Sequence, residues 1–229
     1  MLLSVIIPAY NEERTVETVL KTVLAVPVEK EVIAVNDKSS DNTGAILDKI
    51  KNETSNLLVI HKEKNEGKGA AIKTALAHIT GDIVIIQDAD LELDPNEYPK
   101  LIEPFEKHNA DIVFGSRFQM AGSRRVFKTH RYLANRILTV FSNLMSGMYI
   151  TDMETCYKLF KREIIMSFDI ESKRFGIEPE LTAKAAKGNW RFYEVPVTYN
   201  PRTHLQGKKI GIKDGLTAIY DIIRFNLFE

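Results

Sequence analysis

Short apolar runs alternate with amphipathic stretches through the first half of the chain. LSVIIPA, residues 3–9, predicts a short buried strand, and the stretch after it carries Val16, Val19, Leu20, Val23 and Leu24 at helical spacing. EVIAVND (31–37) predicts a second strand, and Asp41 is placed to cap a helix over about 42–52. LLVIH (57–61) predicts a third strand, GKGAAIKTALAHI (67–79) a helix, and DIVIIQ (82–87) a fourth strand. Pro95 stands at the first-turn position that proline favours and opens a helix to about Lys107, followed by a strand at DIVFGS (111–116). This β-α-β-α rhythm predicts an α/β fold, a mostly parallel sheet covered by helices on both faces.

The second half is less regular. It predicts a long helix over 128–148, a strand at 157–161, and short helices near 162–167 and 178–187. WRFYEVPVTY (190–199) alternates like a strand, and a polar loop, NPRTHLQGKK, leads to a last helix over about 211–226. With no internal repeat and no Pro/Gly/Ser-rich linker, residues 1–229 read as one domain.

Composition narrows the classes. The 229 residues are 44% apolar with a formal net charge of zero, so a substantial core is available and a general polyanion binder, including a nucleic-acid binder, is not expected. Cys156 is the one cysteine, which excludes an intrachain disulfide and suits a reducing compartment. The N-terminus lacks a basic leader, and no stretch reaches the roughly 18 apolar residues of a membrane span. A soluble protein, or one seated on a surface, is expected.

Ligands of a parallel sheet gather beyond the carboxyl ends of its strands. Three polar clusters fall there: PAYNEE after the first strand, NDKSSD after the second and DADLE after the fourth. Each alone has an ordinary explanation as a turn or helix cap. Three acidic loops at one sheet edge point instead to a joint site. Asp88, Asp90, Glu92 and Asp94 recur at alternate positions, and carboxylates so placed suit a hard cation such as Mg²⁺ or Mn²⁺ with phosphate oxygens. Zinc is not indicated, because the histidines are scattered. Neither G-x-G-x-x-G nor a P-loop occurs. Gly67-Lys68-Gly69 is either a phosphate contact at a helix start or a flexible loop.

VIIPAYNEE, VNDKSSDNT, NEGKGAAIKTAL, GDIVIIQDADLELDP and FGSRF together resemble family 2 glycosyltransferases of the GT-A fold, in order and over nearly the whole chain. TDMETCYKLFKRE, FGIEPELTAKAA and YNPRTHLQGKKIGIKDGL resemble most the dolichyl- or polyprenyl-phosphate sugar synthases within it. The resemblance implies a nucleotide-sugar half (1–116) and an acceptor half (117–229). Pro8, Ala9, Tyr10, Glu12 and Lys68 would hold the nucleotide sugar, with Asp37 beside Val35 hydrogen-bonding the base. Asp88, Ala89 and Asp90 would form the D-A-D unit, with Asp90 on the metal and Asp88 nearer the sugar or ribose. Glu92 stands where such enzymes often carry glutamine, and its added charge could tighten metal binding. Asp94 reads as a helix cap.

No acid occurs between Asp111 and Asp152, a span that holds Arg117, Arg124, Arg125, Lys128, Arg131 and Arg136 with interleaved aromatics. Such a stretch suits anionic headgroups or a lipid phosphate, beside the plainer reading of a solvated basic helix face. The resemblance places Arg117 and Arg131 on the acceptor phosphate. Leu133, Ile137, Leu138, Val140, Phe141 and Leu144 either pack on the core or dip into the bilayer interface. Arg202 and Lys208, in the loop between Pro201 and Gly207, match a basic lid over the diphosphate. Glu178 and Glu180 either orient the donor sugar or metal, or answer a helix dipole.

The expected reaction is metal-dependent, inverting transfer of a hexose or N-acetylhexosamine from a UDP- or GDP-linked sugar to a polyprenyl phosphate. It would take place at the cytoplasmic face of a membrane, or beside a membrane-embedded partner. Two alternatives stand beside it. One is a family 2 enzyme with a hydroxyl acceptor, for which Asp152 or Glu154 would serve as base. The other is a nucleotidyltransferase or a non-catalytic nucleotide-binding subunit.

Overall fold

A computed structural model describes residues 1–119, 126, 129–174, 176–202 and 212–228. The apolar runs form strands because their β-branched residues can be covered on both faces. All four residues of Ile83–Ile86 are buried, as are six of the seven in Leu3–Ala9. The strands are β1 (Leu3–Ala9), β2 (Lys30–Asn36), β3 (Leu57–His61), β4 (Ile83–Ile86), β5 (Ile112–Ser116), β6 (Lys158–Lys161) and β7 (Phe192–Pro196). They join in one sheet in the order β3-β2-β1-β4-β6-β5-β7.

Pairing is parallel from β3 through β2 and β1 to β4, in the register Val5↔Val32 and Val5↔Ile85. β6 then lies antiparallel to both β4 and β5, and β7 returns parallel to β5. Two reversals restore the direction, so β1, β2, β4, β5 and β7 all end at one edge, and the segment leading into β6 starts there. That edge collects residues 8–12, 36–41, 87–92, 116–118, 150–157 and 197–202. The order reverses about β1, which opens a ligand crevice between the β1 and β4 loops.

The helices are α1 (Val16–Ala25), α2 (Thr43–Glu53), α3 (Lys68–Leu76), α4 (Tyr98–His108), α5 (Thr129–Ser146), α6 (Arg162–Ser167), α7 (Ile177–Ala186) and α8 (Ile212–Leu227). α1 buries Val16, Val19, Leu20 and Val23, the stripe its spacing predicts. Asp94 caps the turn at Pro95–Glu97 by accepting from Asn96 N at 3.0 Å. β7 is shorter than the alternation over 190–199 suggests. Beyond Pro196 the chain leaves the ladder and touches Leu93 only through an isolated bridge at Tyr199.

The start of α3 explains its glycines. A Cβ at Gly69 would come within 1.8 Å of Ser172 O, and Gly67 has φ of 96° with Lys173 O 2.4 Å from where its Cβ would stand. The pair lets the helix pack against the backbone of 172–174. On α5, Leu138 and Phe141 pack against the core, while Leu133, Ile137, Val140 and Leu144 point outward. The core-packing reading thus holds for Leu138 and Phe141, and the other four face outward. Among the described residues no helix is long and apolar enough to cross a membrane.

Candidate functional site

The β1 and β2 loops are built by their own polar side chains. Asn11 and Lys38 adopt left-handed backbone, φ 52° and 60°. Asn11 N donates to Ser39 Oγ at 3.0 Å and Ser40 N to Asn11 Oδ1 at 2.8 Å, which holds the two loops against each other. A lysine in that conformation is strained, and such strain gathers at functional loops. Pro8 and Ala9 end β1, Val35 is buried in β2, and Tyr10 is exposed at the same edge.

Asp37, expected to meet the base, has its carboxylate engaged within the protein. Oδ1 accepts from Glu66 N at 3.1 Å and pairs with Lys62 Nζ at 2.9 Å, and Oδ2 accepts from Gly67 N at 2.6 Å. Asp37 therefore anchors the 62–67 loop, and contact with a base would require exchange of one of these partners. Lys62 was not foreseen, because nothing in the local pattern marks it.

The D-A-D turn divides its acids between two cations. Asp88 Oδ1 lies 2.7 Å from Lys68 Nζ, which also reaches Glu178 Oε1 at 2.6 Å. Burial lowers the pKa of Lys68, but the Asp88 and Glu178 charges outweigh it and hold the ammonium well above its ordinary value. Asp90 Oδ1 accepts from Glu92 N at 3.0 Å, closing a tight turn, so the alternate acids do not share one extended face. Asp90 Oδ2 takes Arg202 Nη2 at 2.6 Å, and Arg202 Nη1 lies 3.0 Å from Glu12 Oε2. Burial, then the Asp88 charge, push the Asp90 carboxyl up to about 7 against the pull of Arg202.

Glu92 holds the chain that carries Arg202. Its Oε1 accepts from Arg202 N and its Oε2 from Tyr199 OH, both at 2.7 Å, while its carbonyl accepts from Asn200 N at 2.8 Å. Arg202 Nε is buried 3.7 Å from Glu92 Oε1, with no hydrogen-bond partner among the described residues. The guanidinium thus stands amid Glu12, Asp90 and Glu92. Lys208, the second residue expected in the lid, lies outside the described residues, as do Arg124, Arg125 and Lys128.

The expected acceptor side adjoins this cluster through Tyr199. Arg117 lies 5.1 Å from the Tyr199 ring and forks onto Asp152, Nε to Oδ2 and Nη2 to Oδ1, both at 2.7 Å. Asp152 is fully buried and also accepts from Arg117 N at 2.9 Å, so both its oxygens serve the arginine. Arg131 Nη1 reaches the carbonyl of Arg202 at 3.2 Å. Glu180 is fully buried away from these groups, accepting from Glu171 N and Ser172 N and pairing with Lys184. Its place is structural. Tyr199 was missed, although the alternation that ends at residue 199 runs to this edge.

Two relatives and one solved structure place this geometry. An undecaprenyl-phosphate mannosyltransferase of Micrococcus luteus is 28% identical over 97% of this chain and 93% of its own. A dolichyl-phosphate beta-glucosyltransferase of Trichomonas vaginalis is 28% identical over 99% of this chain and 73% of its own. A glucosyl-3-phosphoglycerate synthase from Mycobacterium tuberculosis, solved with Mn²⁺, UDP and glucosyl-3-phosphoglycerate, superposes with a TM-score of 0.74 at 19% identity, over 98% of this chain and 80% of that one. That likeness gives the fold as GT-A. The family described as glycosyl transferase family 2 matches residues 4–168, from β1 through β6 and α6, and the chain belongs to it.

Proposed function

We propose that this glycosyltransferase moves a hexose or N-acetylhexosamine from a UDP- or GDP-linked sugar to a polyprenyl phosphate, with inversion at the anomeric carbon. The observation that carries the reading is the continuous path Arg117–Tyr199–Glu92–Arg202–Asp90. It sets arginines of the second half directly against the carboxylates of the first. The two relatives, whose names specify undecaprenyl and dolichyl phosphate, support it. Residues 1–116 supply most of the donor site and 117–229 the acceptor site, with Glu178 and Arg202 crossing over.

The acceptor phosphate is ionised at neutral pH and needs no general base. One of its oxygens attacks the anomeric carbon, a new carbon–oxygen bond forms, and the bond to the diphosphate breaks with its electron pair on the leaving oxygen. Arg117 and Arg131 orient the phosphate, since a guanidinium fork matches its geometry. Asp152 holds Arg117 in place. Arg202 neutralises the diphosphate.

Mg²⁺ or Mn²⁺ fits the donor set. Among the described residues no three carboxylate, histidine or cysteine side chains form a ready cage. The proposed cation would take one or two carboxylates and complete its shell with substrate phosphates. Asp90 would hold it, with Glu92 and Asp88 nearby, once Arg202 turns to the diphosphate. When bound it would supply electrostatic stabilisation of the leaving group.

The outward stripe Leu133, Ile137, Val140 and Leu144, on a helix with His130, Arg131 and Arg136 and no acid, suits a peripheral seat on the anionic, cytoplasmic face of a membrane. The test supplies Mg²⁺ or Mn²⁺, a panel of UDP- and GDP-sugars, and a short polyprenyl phosphate. Labelled sugar is expected on the lipid phosphate. Transfer to soluble glycans and never to the lipid would overturn the acceptor assignment.

A further inference from the structure

The segment that enters β6 carries a carboxylate, Glu154, that the proposed reaction leaves without a role. Residues 152–155 are fixed from several sides. Asp152 is gripped by Arg117, and Met153 N donates to Thr139 Oγ1 at 3.1 Å. Lys158, 1% exposed, stands 4.6 Å from the Phe114 ring centre and donates to the carbonyls of Met153 and Thr155, each at 2.6 Å. Glu154 sits between the two residues so clamped.

Its Oε1 is buried and has no hydrogen-bond partner among the described residues, and neither has the buried Thr155 Oγ1 beside it. Buried polar atoms are almost always satisfied, so two consecutive unsatisfied side chains on a rigid turn call for a ligand group. Burial and the Glu178 charge push the Glu154 carboxyl up to about 7, the behaviour of a carboxyl group short of donors.

Its surroundings select the ligand group. Glu154 lies two residues after Asp152, the partner of Arg117, and two before Cys156, whose Sγ is 3.5 Å from Lys68 Nζ, the partner of Asp88 and Glu178 on the donor side. It therefore stands where the two halves of the site meet. A carboxylate repels the diphosphate and the acceptor phosphate alike. The neutral, hydroxyl-rich part of the substrate is the transferred sugar.

We infer that Glu154 accepts a hydrogen bond from a hydroxyl of the donor sugar and so helps select which sugar is transferred. This rests on the proposed donor chemistry and assigns Glu154 a binding role in place of a base role.

The test uses the full chain, its Glu154→Gln and Glu154→Ala variants, and whichever UDP- or GDP-hexose most raises the melting temperature of the wild type. A wild type that responds to no nucleotide sugar would overturn the proposed function itself. Given a responding donor, calorimetry compares that donor, the nucleoside diphosphate alone, and the 2-, 3-, 4- and 6-deoxy donors. A lost hydrogen bond to a charged group corresponds to about 10- to 100-fold.

Both variants are expected to bind the parent donor that much more weakly and the nucleoside diphosphate within about twofold of wild type. For one deoxy donor the difference between wild type and variant should vanish. Equal losses for diphosphate and donor would make Glu154 merely structural. Unchanged donor binding with lost transfer would make it a base. Either result overturns the inference, as does a deoxy series in which every member shows the full loss.

Discussion

Replacing Asp90 by asparagine is expected to stabilise the protein above neutral pH while removing its activity. Burial and the neighbouring Asp88 charge raise the Asp90 carboxyl from an ordinary 3.8 to about 7 in the folded state. A folded pKa above the unfolded one means that the native state holds the proton longer. Ionisation of Asp90 therefore costs native stability as pH rises. The cost is small below about pH 4, grows through the interval up to 7 and is complete above it. At about 1.4 kcal/mol per pH unit the full interval amounts to about 4 kcal/mol. The attraction to Arg202 is already contained in that net shift, so asparagine, which stays neutral, should gain up to about 4 kcal/mol at pH 8, shrinking to less than about 1 kcal/mol at pH 4. Urea denaturation of both proteins at pH 4, 6 and 8 reads this directly. Added Mn²⁺ should stabilise the wild type at pH 8 by mass action and the variant far less. A variant less stable than wild type at pH 8, or a difference independent of pH, would refute the account of Asp90 as an acid held against its own ionisation.

Three further outcomes follow from the geometry. Asp152→Asn leaves the buried Arg117 guanidinium without its counter-charge and should cost about 3–5 kcal/mol in denaturant unfolding, with a raised KM for the lipid phosphate. Gly69→Ala places a methyl 1.8 Å from Ser172 O and should lower stability by about 1–3 kcal/mol by calorimetry, although the residue is at a helix position where alanine is otherwise preferred. Serine at Leu133, Ile137, Val140 and Leu144 together should leave the melting temperature within a few degrees, about 0.5 kcal/mol per exposed site at most. It should also weaken sedimentation with anionic vesicles by at least about tenfold, given roughly 0.8 kcal/mol per buried methylene.

Much of the fold was legible in the chain. The switch between short β-branched runs and 3.6-residue stripes determined the elements from β1 to β5, because strand and helix periods differ and each run is too short for the other. The same alternation put the PAYNEE, NDKSSD and DADLE loops at one sheet edge, since a parallel sheet points its strand ends the same way. The cap at Asp94 was likewise local, decided by a proline one residue on.

Other features depended on segments far apart in the chain. Nothing local says that β6 inserts antiparallel between β4 and β5, yet that insertion brings residues 150–157 to the site. The carboxylates Asp37, Asp90, Glu92 and Asp152 look alike in sequence, and only their partners separate an anchor of a loop from a counter-charge for Arg202, a latch and a brace for Arg117. Arg202 bridges to Glu12 across 190 residues and Lys68 to Glu178 across 110. Periodicity reports which face of an element is buried. Which buried charge meets which is set by how strand ends and loops are juxtaposed, and only the tertiary structure decides that.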